Sequence, residues 1–140
     1  MSLSQKKFRE LVLQLLYSLE FGNTDEEALV RMMMKELSVT KRSVLEALER
    51  VRAIQGKASV IDDYIAKVSQ SYSLTRIQSL ERNILRLAGY ELLFDESIPP
   101  KVAITEAVRL TRKFGTPEGA SFVNALLDEI YHKDTGEEES

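Results

Sequence analysis

Apolar residues recur along this chain at helical spacing rather than with the alternation of a strand. Phe8, Leu11, Val12, Leu15, Leu16 and Leu19 share one broad face at about 100° per residue. They predict a core helix from Ser4 to Phe21, with Gly22-Asn23 supplying a left-handed turn at its end. Thr24 precedes Glu27 at the spacing of a capping box, in which hydroxyl and carboxylate each satisfy an exposed N–H. A second helix is therefore expected to start at Thr24 and run to about Leu37. Met32, Met33 and Met34 are consecutive and so point in different directions, which reads as core and edge packing rather than a soft binding groove. Val44, Leu45, Leu48, Val51, Ile54, Val60, Ile61, Tyr64, Ile65 and Val68 continue mostly helical spacing from Thr40 to about Ser71, with Gly56 placed to kink or divide the segment.

Ser73 to Ile77 reads as a connector, followed by a helix from Ser79 to Phe94. In that helix Leu80, Ile84, Leu87 and Ala88 line one side, and Leu85, Leu92, Leu93 and Phe94 carry apolar surface around most of the circumference. Such a helix packs on several neighbours and belongs at the centre of the fold. Pro99-Pro100 cannot continue a helix but can begin one. Ala103, Ile104, Ala107, Leu110, Thr111 and Phe114 then form an inward face that ends at Gly115. Thr116-Pro117 starts a last helix, whose core side is Val123, Leu126, Leu127 and Ile130. Six glycines and three prolines are too few for the turns of an all-β domain, so the fold class expected is all-α.

The net charge of −3 is unevenly placed: residues 128–140 carry −5 and residues 1–127 carry +2. An acidic total therefore does not exclude an RNA partner, because electrostatic binding depends on the local patch. The segment from Asp134 to Ser140 has no apolar residue and is expected to be a disordered acidic tail. The chain has no cysteine, which removes disulfides and thiolate metal sites. No apolar run approaches the roughly 18 to 20 residues of a membrane span, and the N-terminus lacks a signal peptide's apolar block. A cytoplasmic protein with no membrane association is expected.

Catalytic chemistry finds little support. His132 is the only histidine and lies beside the acidic tail, so no zinc set can be assembled around it. Gly115 and Gly119 flank a helix start and do not make a phosphate loop. Binding surfaces have better candidates. On the first helix Lys6 and Arg9 are expected to project away from the apolar face, in a sector that continues through Leu13 to Tyr17. Cations leading to an exposed aromatic make a contact strip, and an ordinary solvated face stands as the alternative. Lys101, Arg109, Arg112 and Lys113 lie broadly opposite the core face of their helix, with Glu106 the one acid among them. Arg82 and Arg86 mark either positive potential or a solvent seam. Phe122 falls at the rim of the last helix's core side, just after the turn from Thr116 to Gly119, where a ring fills a groove or stacks on a base. Asn124 points farther outward.

Four segments in order resemble the NusB family of bacterial transcription antitermination factors. They are Arg9 to Tyr17, Leu80 to Leu92, Ile98 to Val108, and Lys113-Phe114-Gly115 together with Phe122 to Asp128. The resemblance implies an all-α, NusB-like fold of about seven helices in two small packed subdomains, with residues 1–72 forming the first, 73–133 the second and 134–140 the tail. It also implies a non-enzymatic protein without cofactors or metal that binds single-stranded boxA RNA of nascent transcripts, especially of ribosomal RNA operons. The implied partners are a NusE-like small-subunit ribosomal protein and the elongating RNA polymerase complex; homodimer formation is left open. The implied RNA contacts are Lys6, Lys7, Arg9, Glu118 and Phe122, and the implied partner contacts are Tyr17 and Glu81. Three phosphate contacts predict a salt slope near −2, at roughly −0.7 per contact for single strands. The family's arginine-rich N-terminus is represented here by Gln5, Lys6, Lys7 and Arg9, and lysine lacks the bidentate guanidinium fork. That departure motivates one alternative, a protein-only adaptor with weakened or lost RNA binding. A second alternative is an RNA-modifying enzyme, since a similar domain occurs at the N-terminus of some ribosomal RNA methyltransferases; no methyl transfer is expected of these 140 residues.

Overall fold

A computed structural model describes residues 3–22, 25–69 and 77–135. Seven helices occur among the described residues: α1 (Gln5–Glu20), α2 (Glu26–Leu37), α3 (Lys41–Gly56), α4 (Ala58–Val68), α5 (Ser79–Phe94), α6 (Pro100–Phe114) and α7 (Pro117–Thr135). The all-α expectation and the helix number agree with this architecture. The chain divides into two compact units, Met1–Gly56 and Lys57–Ser140.

In the first unit α3 packs against both α1 and α2. Ser4 caps α1 by accepting from the Lys7 N–H at 3.2 Å, and Gly22 at φ +91° turns the chain at the other end. The expected capping box is replaced. Asp25 is the N-cap of α2, its carboxylate accepting from the Ala28 N–H at 3.2 Å. Thr24 and Asn23 lie outside the described residues. Glu26 and Glu27 in the first turn and Lys35 in the last complement the helix dipole. Thr40 accepts from the Ser43 N–H at 3.1 Å to start α3. Leu29, Val30 and Met33 of α2 and Val44, Ala47, Leu48, Val51 and Ile54 of α3 are buried, so only the middle methionine of the three is fully in the core.

The long segment divides at Gly56, as its sequence allowed, and α4 opens the second unit instead of closing the first. The sequence placed the boundary near residue 72. The physical reason for the earlier division is that α4 packs against α5 and α7. Gly89 of α5 makes that approach close: a Cβ there would stand 2.8 Å from Ile61 Cγ2. Arg86 of α5 donates from Nε and Nη2 to the two oxygens of Asp62 at 2.9 and 2.8 Å, a bidentate fork joining the same two helices. Its charge is thus committed inside the unit. α5 also packs against α6 and α7, which makes it the central helix of this unit. Glu91, on its apolar side, is buried and engaged within the fold. The connector expected from Ser73 to Ile77 lies outside the described residues except at Ile77, which is buried. Asp134 and Thr135, assigned to the tail by sequence, belong to α7, and Asp134 accepts a hydrogen bond from the Tyr64 hydroxyl at 3.2 Å. The remainder of the expected tail, residues 136–140, lies outside the described residues.

Candidate nucleic-acid interface

The start of α7 is built by Thr116, whose hydroxyl accepts from the Gly119 N–H at 3.0 Å while its carbonyl accepts from Ala120 N–H at 3.0 Å. This turn sets Glu118 in solvent and Phe122 one turn later at the edge of the core, half-buried. Across from it stands the first turn of α5. Ile77, Gln78, Glu81, Thr116, Glu118, Gly119 and Phe122 line one open cleft of about 270 Å³. A Cβ at position 119 would collide with Glu81 Oε2 and stand 3.2 Å from Thr111 Cγ2, so glycine is what lets the Glu81 carboxylate lie against the beginning of α7.

The lining determines what the cleft can hold. Among the described residues two carboxylates and no Lys or Arg line it, so a phosphate against these residues would meet like charge. Carboxylate oxygens do accept from the exocyclic amino groups of bases, and a phenyl ring supplies a stacking face. These described residues suit a base better than a phosphate. Sequence reasoning assigned Glu118 and Phe122 to RNA and Glu81 to a protein partner; the structure brings all three to one cleft. It missed Gln78 and Ile77, whose only signal was their place before α5, and it read Gly119 as turn punctuation without seeing that Glu81 needs it.

On the first unit, Lys6 and Lys7 are exposed in the first turns of α1. Two expectations there are corrected. Arg9 is 4% exposed and engaged within the fold, and Leu13 is buried as well. They occupy flanks of the helix that other elements cover, so α1 carries no continuous strip from Lys6 to Tyr17. It has two separate features instead, cations at its beginning and an aromatic pair at its end. Tyr17 is 45% exposed and Phe21 63%, with ring centroids 4.8 Å apart. Phe21 was not singled out by sequence because it closes the helix.

On α6, Glu106 is corrected from an outward position to a buried one, 7% exposed, where it pairs with Arg109 at 3.0 Å. Phe114, expected inward, is exposed. His132 lies 3.6 Å from Asp128 in an i, i+4 pair, and no group of His, Cys, Asp and Glu placed to hold a metal occurs among the described residues. Among the same residues no helix is long and apolar enough to cross a membrane.

Among the described residues the chain is all-helical, and its second unit carries an aromatic, carboxylate-lined cleft. The family model described as "NusB family" matches residues 6–132. The transcription antitermination protein NusB of Chlamydia pneumoniae is 33% identical over 127 residues, covering 91% of this chain and 79% of that protein. A solved structure of Thermotoga maritima NusB superposes with a TM-score of 0.78 at 33% identity, covering 94% of this chain and 92% of the other. A NusB chain solved with NusE and double-stranded RNA superposes with a TM-score of 0.78 at 27% identity, covering 92% and 96%. The chain belongs to the NusB family of bacterial transcription antitermination factors.

Proposed function

We propose that this protein binds a single-stranded boxA-like segment of nascent RNA together with a NusE-like small-subunit ribosomal protein. In this reading the assembly acts in the cytoplasm on the elongating polymerase to oppose termination, especially in ribosomal RNA operons. The observation that carries the proposal is the half-buried Phe122 ring in a cleft with Glu81 and Glu118. Phe122 stacks on an unpaired base, and the carboxylates accept from its amino group. Lys6 and Lys7 neutralise phosphates; Arg9, being buried, is no longer assigned that role. Tyr17 and its neighbour Phe21 offer the protein partner an apolar anchor. Glu81 serves the same partner from the second unit. Because its carboxylate also walls the Phe122 cleft, partner and base meet at this residue.

The test is a titration of labelled boxA-like and scrambled RNA at two salt concentrations, with and without the NusE-like partner. Two lysine contacts predict a log-log salt slope of about −1.4 for the short boxA-like strand, in place of the −2 that three cations predicted. Tighter binding of the boxA-like strand, strengthened by the partner, is expected. The buried Arg9 favours a second reading, a protein-only adaptor. Partner binding with no RNA binding in either mixture establishes that reading and overturns the first.

A further inference from the structure

The first unit carries a groove of its own, and none of the RNA or partner contacts proposed above lines it. It is open and encloses about 580 Å³ between α2 and α3. Val30 and Met34 of α2 and Leu45 of α3 make its apolar floor, with Glu27, Arg31 and Lys41 on its rim. Leu45 is 43% exposed there, while Val44, Leu48, Val51 and Ile54 of the same helix are buried. Met34, read from sequence as core or edge packing, is half-buried and lines this groove.

The rim is polarised from end to end. α2 and α3 run antiparallel, since Glu26 at the start of α2 pairs with Arg52 late in α3. Lys41, the first residue of α3, is eleven residues before Arg52 and so stands about 16 Å along the axis from the Glu26 end. Glu27 marks one end of the groove and Lys41 the other, with the apolar floor between them. Arg52 neutralises Glu26, whereas Glu27 and Lys41 have no ion pair among the described residues. A two-fold axis through the floor exchanges the two ends and exchanges α2 with α3. It carries Glu27 of each copy onto Lys41 of the other and lays the two floors together, so the surface is its own complement.

We propose that this groove is an interface between two copies of the chain, in which Val30, Met34 and Leu45 of each copy pack on those of the other and two Glu27–Lys41 pairs set the register. A foreign segment would have to bring both signs of charge at matching spacing; a second copy brings them by symmetry. RNA is a poor occupant, because two carboxylates stand at one end and no aromatic ring lines the groove among the described residues. A stable interface buries about 800 Å² on each partner, contributed by about 20 to 30 residues. The seven lining residues are the centre of such a contact, so the dimer is expected to be concentration-dependent rather than permanent.

The experiment is sedimentation equilibrium of the full chain over a concentration series reaching the high micromolar range, where wild type should show a reversible monomer–dimer equilibrium. Glu27→Lys sets two like-charged pairs across the axis, as does Lys41→Glu, and each alone should weaken the dimer about tenfold. An equimolar mixture of these two variants restores opposite charge at both pairs and should associate as wild type does; so should the double variant Glu27→Lys/Lys41→Glu. Leu45→Gln, at a position already half open to water, should abolish the dimer while far-UV circular dichroism keeps its helical signal. The mass of a single chain for wild type at every concentration overturns the proposal. So does a dimer indifferent to the charge reversals or to Leu45→Gln, or one that neither the mixture nor the double variant restores. If wild type stays monomeric and Leu45→Gln weakens its binding to the NusE-like protein, the groove belongs to that partner and the proposal is overturned as well.

Discussion

Replacing Gly119 by alanine probes the wall between α5 and α7 with a single methyl group. The new Cβ meets Glu81 Oε2 head-on and stands 3.2 Å from both Thr111 Cγ2 and Thr116 Oγ1. Thr111 is fully buried, and its hydroxyl donates to the Ala107 carbonyl at 2.8 Å, so its methyl has little room to retreat. Glu81 is the far end of a flexible chain and must swing away. Overpacking costs about 1 to 3 kcal/mol, and exchanging glycine for alanine in a helix returns up to about 1 kcal/mol. Gly119→Ala is therefore expected to lose roughly 1 to 2 kcal/mol in urea denaturation. Made in a Glu81→Ala background, the same change should cost less, with a coupling of at least about 0.5 kcal/mol. RNA affinity should fall in Gly119→Ala because the displaced carboxylate no longer lines the Phe122 cleft. Additivity within about 0.3 kcal/mol between the two substitutions refutes the claim that Gly119 exists to admit Glu81.

Phe122→Ala should weaken RNA binding by roughly 5- to 150-fold, the range for one lost base–ring stack, while far-UV circular dichroism keeps its helical signal; unfolding instead would make the ring structural. Leu87→Ala, at a buried position of α5, should cost about 2 to 5 kcal/mol in denaturant melts, and a loss below 1 kcal/mol would contradict its place in the core. The Tyr64 hydroxyl is pushed above its usual value of 10.0 by burial, with the hydrogen bond to Asp134 and that group's charge acting in the same direction. The folded chain holds this proton more tightly than the unfolded one. The resulting stability is complete below pH 10 and is lost as pH rises through the raised folded value. Tyr64→Phe should flatten that alkaline loss in unfolding curves taken on either side of pH 10, and an unchanged slope would remove Tyr64 from the account.

Local signals placed the elements well because each carried its own chemistry. The limits of α5 and α6 follow from Ser79, Phe94, Pro100 and Gly115, and the break at Gly56 was visible as an interruption. Phe122 was placed at the rim by its angle from Leu126 and Ile130. What escaped depended on neighbours distant in sequence. Arg9 was judged outward from one helical face, although Leu13, beside it in the same sector, is the apolar residue that marks this flank of α1 as covered. Glu106 falls at the border of the arc of Ala103, Ala107 and Leu110, about 40° beyond Leu110, where spacing leaves inside and outside undecided until Arg109 is seen to pair with it. No spacing rule could join Glu81 to Gly119, because their meeting is made by the packing of α5 on α7. The grouping of α4 with the second unit was hidden for the same reason: Ile61 shows its partner, Gly89, only in three dimensions.

That meeting of Ile61 with Gly89 also imposes an order on inherited change. A side chain cannot be added at position 89 while isoleucine holds position 61, and nothing smaller than glycine is available in exchange. A lineage that replaces Gly89 must first remove the Cγ2 methyl of residue 61, which valine keeps and alanine lacks, accepting about 2 to 5 kcal/mol for an alanine intermediate before any benefit returns. The two sites are thus historically entangled, and their substitutions should arise in sequence, with position 61 leading.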